Sequence, residues 1–148
     1  MRFTSLRWLL IAGSMLLGLA TVHAQTKPAS TPLATLLKTS RWQKRVLLLC
    51  APTATDAALL RQRQLLASAR PELDARDLLV HEVLLDNLSA ADKKYVTETL
   101  RTSRASFTVL LIGKDGGVKR RETEPTTPNS LFKTIDVMPM RQQEMRKN

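Results

Sequence analysis

Cys50 is the only cysteine in this 148-residue chain, and its setting decides what chemistry it can do. It ends the apolar run Val46 to Leu49 and is followed by Ala51-Pro52-Thr53 and a helical pattern. Dithiol exchange needs a second sulfur, which this chain lacks, and one thiol cannot close an internal disulfide. What remains open to Cys50 is one-cysteine chemistry, as a peroxidase nucleophile or a mixed-disulfide partner. That requires an ionised, accessible thiol, and an apolar strand opposes both. Cys50 is therefore read first as a small buried hydrophobic residue.

The other candidates are weighed in the same way. Met138, Met140 and Met145 supply thioethers of the kind that hold Cu(I). In one continuous helix, however, Met138 and Met140 point apart, and core packing accounts for Met138 and Met145. His81 has no recognisable catalytic partner, and Glu82 beside it points to the other side of a strand. His81 is the histidine left once a signal peptide containing His23 is removed, and one histidine with one cysteine does not make a zinc site without carboxylates. No metal and no cofactor is expected. The candidate anion-binding group is Lys114, Lys119, Arg120 and Arg121, with Arg141 and Arg146 later in the chain. Alternation along a strand puts Lys119 and Arg121 on one face and Arg120 on the other, so the group serves equally well to guard a sheet edge.

Twenty-three Lys and Arg against 13 Asp and Glu give a net charge of +10. Such a surface suits an anionic envelope polymer, a lipid surface or a protein. Nucleic acid is not expected, because aromatic platforms are scarce, at 4% of residues, and because the start of the chain reads as an export signal. Arg2 and Arg7 precede the short apolar stretch Trp8 to Ala20, and Val22-His23-Ala24 provides small residues before a cleavage point at Gln25. No cysteine stands there for lipid attachment. The expected organisation is a signal peptide over 1–24, a flexible leader over 25–40 with a short helical turn at Leu33 to Leu37, and one domain over 41–148. No membrane span is expected after cleavage, and the destination is periplasmic or extracellular.

The elements that would position these residues follow from periodicity. Val46 to Ala51 is a strand buried on both faces. Thr53 with Asp56 suggests a capping box for a helix running to Ala69, with Ala58, Leu65, Leu66 and Ala69 inward and Pro71 as its stop. Leu78 to Leu85 predicts a second strand parallel to the first. Ser89 with Asp92 opens a second helix carrying Tyr95, Val96 and Leu100 on one side. Phe107 to Ile112 is the third strand, Lys114-Asp115-Gly116-Gly117 the reversal, and Val118 to Glu122 a charged antiparallel edge strand. Thr127-Pro128 caps a last helix, with a restart near Met138 imposed by Pro139. The sum is an α/β fold: a central mixed sheet of about four strands, two or three parallel plus an antiparallel edge hairpin, with helices on both faces.

Four segments carry a resemblance: RWQKRVLLLCAP at 41–52, RDLLV at 76–80, FTVLLIGKDGGVKRR at 107–121 and LFKTIDVMPMRQQEM at 131–145. They resemble a thioredoxin-like domain-of-unknown-function family found in short secreted bacterial proteins, and a similar domain in vertebrate sushi-repeat-containing extracellular matrix proteins. The resemblance implies a thioredoxin-like fold and export, and it supplies no substrate. A thioredoxin keeps two cysteines where this chain reads Ala51-Pro52-Thr53-Ala54, and a cis-proline where it reads Ser103-Arg104-Ala105-Ser106. Two functions are thus expected in order: a non-catalytic binding protein of the cell envelope, or an atypical thiol oxidoreductase or peroxidase using Cys50.

Overall fold

A computed structural model describes residues 31–147; the expected export signal and the first part of the expected leader lie outside that range. Four strands form one sheet in the order β2-β1-β3-β4. Strand β1 (Arg45–Ala51) is buried at all seven positions; the apolar run from Val46 to Ala51 requires this of a strand covered on both faces, and Arg45 is the one charged side chain in it. It pairs in parallel with β2 (Leu78–Leu84), Val46 opposite Leu79 and Cys50 opposite Val83. On its other side it runs antiparallel to β3 (Thr108–Ile112), with Cys50 opposite Thr108. Strand β4 (Val118–Glu122) closes the hairpin with β3, and a register shift falls between Leu111 and Ile112. One pair is parallel and the other two are antiparallel, so the sheet is the mixed one expected.

Because side chains alternate along β1, its residues feed two separate cores. Leu47, Leu49 and Ala51 pack with Leu59, Leu66, Leu73, Leu131 and Ile135, under α2 (Ala57–Ala67), α3 (Arg70–Asp74) and α5 (Pro128–Asp136). Val46, Leu48 and Cys50 pack with Leu33, Val96 and Leu100, under α1 (Leu33–Ser40) and α4 (Ala90–Lys94) with its π-helical continuation over Tyr95–Thr99. Helices therefore cover both faces.

Local chemistry sets most boundaries, and it corrects several expectations. Asp56, not Thr53, caps α2: its carboxylate accepts the Leu59 amide at 3.0 Å, while Thr53 turns its hydroxyl to Thr55 at 3.2 Å. The inward face of α2 is Leu59, Gln62 and Leu66, with Leu65 only partly buried. Pro71 does not simply stop that helix; it occupies the first turn of α3, where its missing N–H costs nothing. Ser89 caps α4 by accepting the Asp92 amide at 3.1 Å, and Thr127 caps α5 through Ser130, as their spacing predicts. The helical turn expected at Leu33 to Leu37 is longer than that. Residues 33–40 form α1, a full helix whose Leu33 is 3% exposed and whose first amide donates to Asp92 at 2.9 Å. That pairing across 59 residues has no local signature, which is why a Thr- and Pro-rich stretch hid it.

Helix α6 (Pro139–Lys147) restarts after Pro139, as expected, but buries none of its residues. Met145 is 46% exposed and so is not a core residue. Met138 alone of the three methionines packs against the α2–α5 core.

Candidate functional site

Cys50 lies at the C-terminal end of β1 with no exposed surface. Removal from water pushes its thiol up to about 12; the Arg121 cation pulls the other way and does not compensate. At that value about one molecule in a hundred thousand carries a thiolate at neutral pH. The amide-rich end of α2 offers no help, because it begins beyond Asp56 and that carboxylate already occupies it.

The hairpin cations are spoken for, each by a different neighbour. Lys114 is 9% exposed and its Nζ meets Asp77 at 2.9 Å and Glu144 at 2.7 Å. Lys119 pairs with Asp115 at 2.6 Å. Arg120 turns to the α5 side, donating to Glu122, to the Ser130 carbonyl at 2.8 Å and to the Thr134 hydroxyl at 3.1 Å. Arg121 turns to the opposite face and donates to the carbonyls of Leu100 at 2.6 Å and Arg101 at 3.1 Å, closing the end of the π-helical turn. The geometry divides the four rather than gathering them on one surface. Arg141 likewise serves Asp136 at 3.4 Å and the Ala75 carbonyl at 2.9 Å.

His81 is half-buried on β2, which lowers its pKa although Glu82 draws it upward. Glu82 faces away toward Arg63, whose guanidinium grips it at 2.7 and 2.6 Å. Among the described residues no group of three His, Cys, Asp or Glu is placed to hold a metal ion.

Two assemblies had no signature in the sequence. One is an ion cluster beneath the N-terminal end of β1, where Arg45, with a side chain 1% exposed, forms a two-pronged contact with Glu144 at 3.1 and 3.2 Å and donates to the Arg76 carbonyl at 2.8 Å. Lys114, Asp77 and Lys44 extend it, and among the described residues Arg45 Nε is the buried side-chain nitrogen left without a hydrogen-bond partner. The other is a groove of about 230 Å³ between α1, Tyr95 and the β3–β4 turn, with Lys38 and Arg41 among the residues that line it. Beside it, Trp42 is 68% exposed with φ of 65°, an uncommon conformation for a bulky side chain, fixed by its amide donating to the Lys114 carbonyl at 2.7 Å.

The family described as a domain of unknown function, DUF4174, matches residues 36–144. The sushi repeat-containing protein SRPX of Rattus norvegicus is 31% identical over 123 residues, covering 76% of this chain and 26% of that protein; the Homo sapiens protein is 30% identical over the same length. The chain thus spans about a quarter of the curated relatives it matches. Among solved structures, a reduced 2-Cys peroxiredoxin of Plasmodium vivax superposes with a TM-score of 0.53 at 13% identity, over 76% of this chain and 85% of that one. At that identity the likeness concerns the fold alone, which is thioredoxin-like.

Proposed function

The chain belongs to the DUF4174 family, and from that membership we propose an exported, non-catalytic binding module: a thioredoxin-like scaffold that keeps the architecture of a redox protein and uses its surface instead. The observation that carries this reading is the sealing of Cys50, fully buried with its pKa raised to about 12. A nucleophilic thiol needs access and ionisation together, and here packing opposes both. Export is supported by the Arg2, Arg7 and Trp8 to Ala20 pattern and by the Val22-His23-Ala24 cleavage point. Among the described residues, no helix is long and apolar enough to cross a membrane.

The test is native-state labelling of Cys50 with a small alkylating reagent. The expected result is protection until the fold is unfolded by denaturant, with peroxide consumption the same in wild type and Cys50→Ser. Labelling in the native state as fast as that of a free thiol, or peroxide turnover lost in Cys50→Ser, would establish the one-cysteine enzyme in its place.

A further inference from the structure

The groove beside α1 joins an apolar floor to a cationic rim, and this pairing of surfaces specifies a ligand. Leu100 and Ile112 form part of the floor, Tyr95 one wall, and Lys38 and Arg41 stand at the edge. Neither cation lies within salt-bridge distance of a carboxylate among the described residues, unlike Lys114, Lys119 and Arg120. The acid of the adjoining turn, Asp115, is held by Lys119 at 2.6 Å. A helix C-terminus ordinarily repels an anion. At the end of α1 that effect is reduced, because the carbonyls of Leu36, Lys38 and Ser40 already accept hydrogen bonds from the Ser40 hydroxyl and from the Arg41, Gln43 and Lys44 amides.

Gly116 fixes the arrangement. Its φ is 83°, a conformation glycine adopts without strain, and a methyl group added there would stand 2.3 Å from Arg41 Nε and 3.0 Å from Cζ. The guanidinium therefore lies against bare backbone. The residue type at 116 and the placement of Arg41 are one feature.

We propose that this groove binds an anionic amphiphile, with a phosphate or carboxylate received by Lys38 and Arg41 and a short apolar stem laid toward Leu100 and Ile112. Guanidinium and ammonium groups suit such an anion through charge-assisted hydrogen bonds. The volume of about 230 Å³ admits a headgroup and a few methylenes. The proposal deepens the reading of the chain as a binding module and rests on it.

Calorimetric titration with octyl phosphate below its micellar range tests the idea. Saturable binding is expected, weakened at least about tenfold in Lys38→Gln/Arg41→Gln, as loss of two charged contacts requires. Both positions are exposed, so the variant should melt with the wild type. Inorganic phosphate alone should bind more weakly, and octyl glucoside should not bind. Equal binding by the double variant, equal affinity for inorganic phosphate, or association with phosphatidylglycerol vesicles but not with monomeric octyl phosphate would each overturn the groove. Cys50 labelling on the same preparation separates the two levels. A protected thiol with no octyl phosphate binding overturns the groove alone, whereas a fast-reacting thiol overturns the module and the groove with it.

Discussion

Gln62 is fully buried on α2, and both ends of its amide meet one residue: Nε2 donates to the Thr126 carbonyl at 2.9 Å and Oε1 accepts the Thr126 amide at 2.7 Å. The side chain imitates a strand partner for the segment joining β4 to α5. Gln62→Ala should cost about 3 kcal/mol, combining a cavity with two unsatisfied backbone groups; a urea midpoint unchanged from wild type would show the pair to be dispensable. Nothing in the helical pattern marks Gln62 as interior, since glutamine ordinarily faces water. Cys50 was legible for the opposite reason: a seven-residue strand buried throughout is written in its own composition. The hairpin cations were legible as residues but not as contacts. Lys119 and Arg120 find carboxylates close by in the chain, but the partners of Lys114, Asp77 and Glu144, lie 37 and 30 positions away in opposite directions, beyond the reach of local spacing.

Helix α6 illustrates attachment without a hydrophobic face. Glu144 joins it to Arg45 and Lys114, and Arg141 joins it to Asp136 and the Ala75 carbonyl. Burial alone would raise the Glu144 pKa, but hydrogen bonds from Lys114 and Arg45 outweigh it and hold the carboxyl below its ordinary range. Asp77, through Lys114 and then Lys44, and Asp136, through Arg76, are held low as well. A carboxyl with a depressed folded pKa stabilises the fold above the ordinary value of about 4, and the contribution disappears as pH falls through the lowered one. Glu144→Gln should therefore cost about 3 kcal/mol at neutral pH, because it leaves a buried guanidinium without its counter-charge. The difference from wild type should narrow as acid protonates Glu144 itself, and thermal melts from pH 7 to pH 2 would read this directly. A constant difference across that range would assign the cost to packing. Strand positions were recovered within a residue or two because each strand carries its own apolar or charged pattern. The role of Pro71, the true cap of α2 and the full extent of the helix over 33–40, of which a turn at Leu33 to Leu37 was expected, were not, because the last depends on Asp92 far along the chain and the others on a choice between residues within one turn of each other.

At the scale of the molecule, two cores share one strand. Every residue of β1 belongs to a partner contributed later in the chain, first β2 and then the antiparallel β3. Both contacts are non-local, which slows assembly. The parallel pairing of β1 with β2, the charged edge strand β4 and the helices on either side follow from the sequence pattern as a set; the place of β3 beside β1, in antiparallel register, emerges only in three dimensions.

That central position has a consequence for the chain before it folds. Val46 to Ala51 is an uncharged, wholly apolar hexamer without proline or glycine, a segment open to self-association when unpaired, and it must wait for neighbours that come later. Arg41, Lys44 and Arg45 stand immediately ahead of it as gatekeepers. Lys44→Ala should barely move the melting temperature, since its pair with Asp77 is solvent-exposed, yet it should lower refolding yield as protein concentration rises, a loss measurable by light scattering. The positive charges ahead of the strand would then act mainly on the nascent polypeptide, keeping sister chains apart until the sheet has closed.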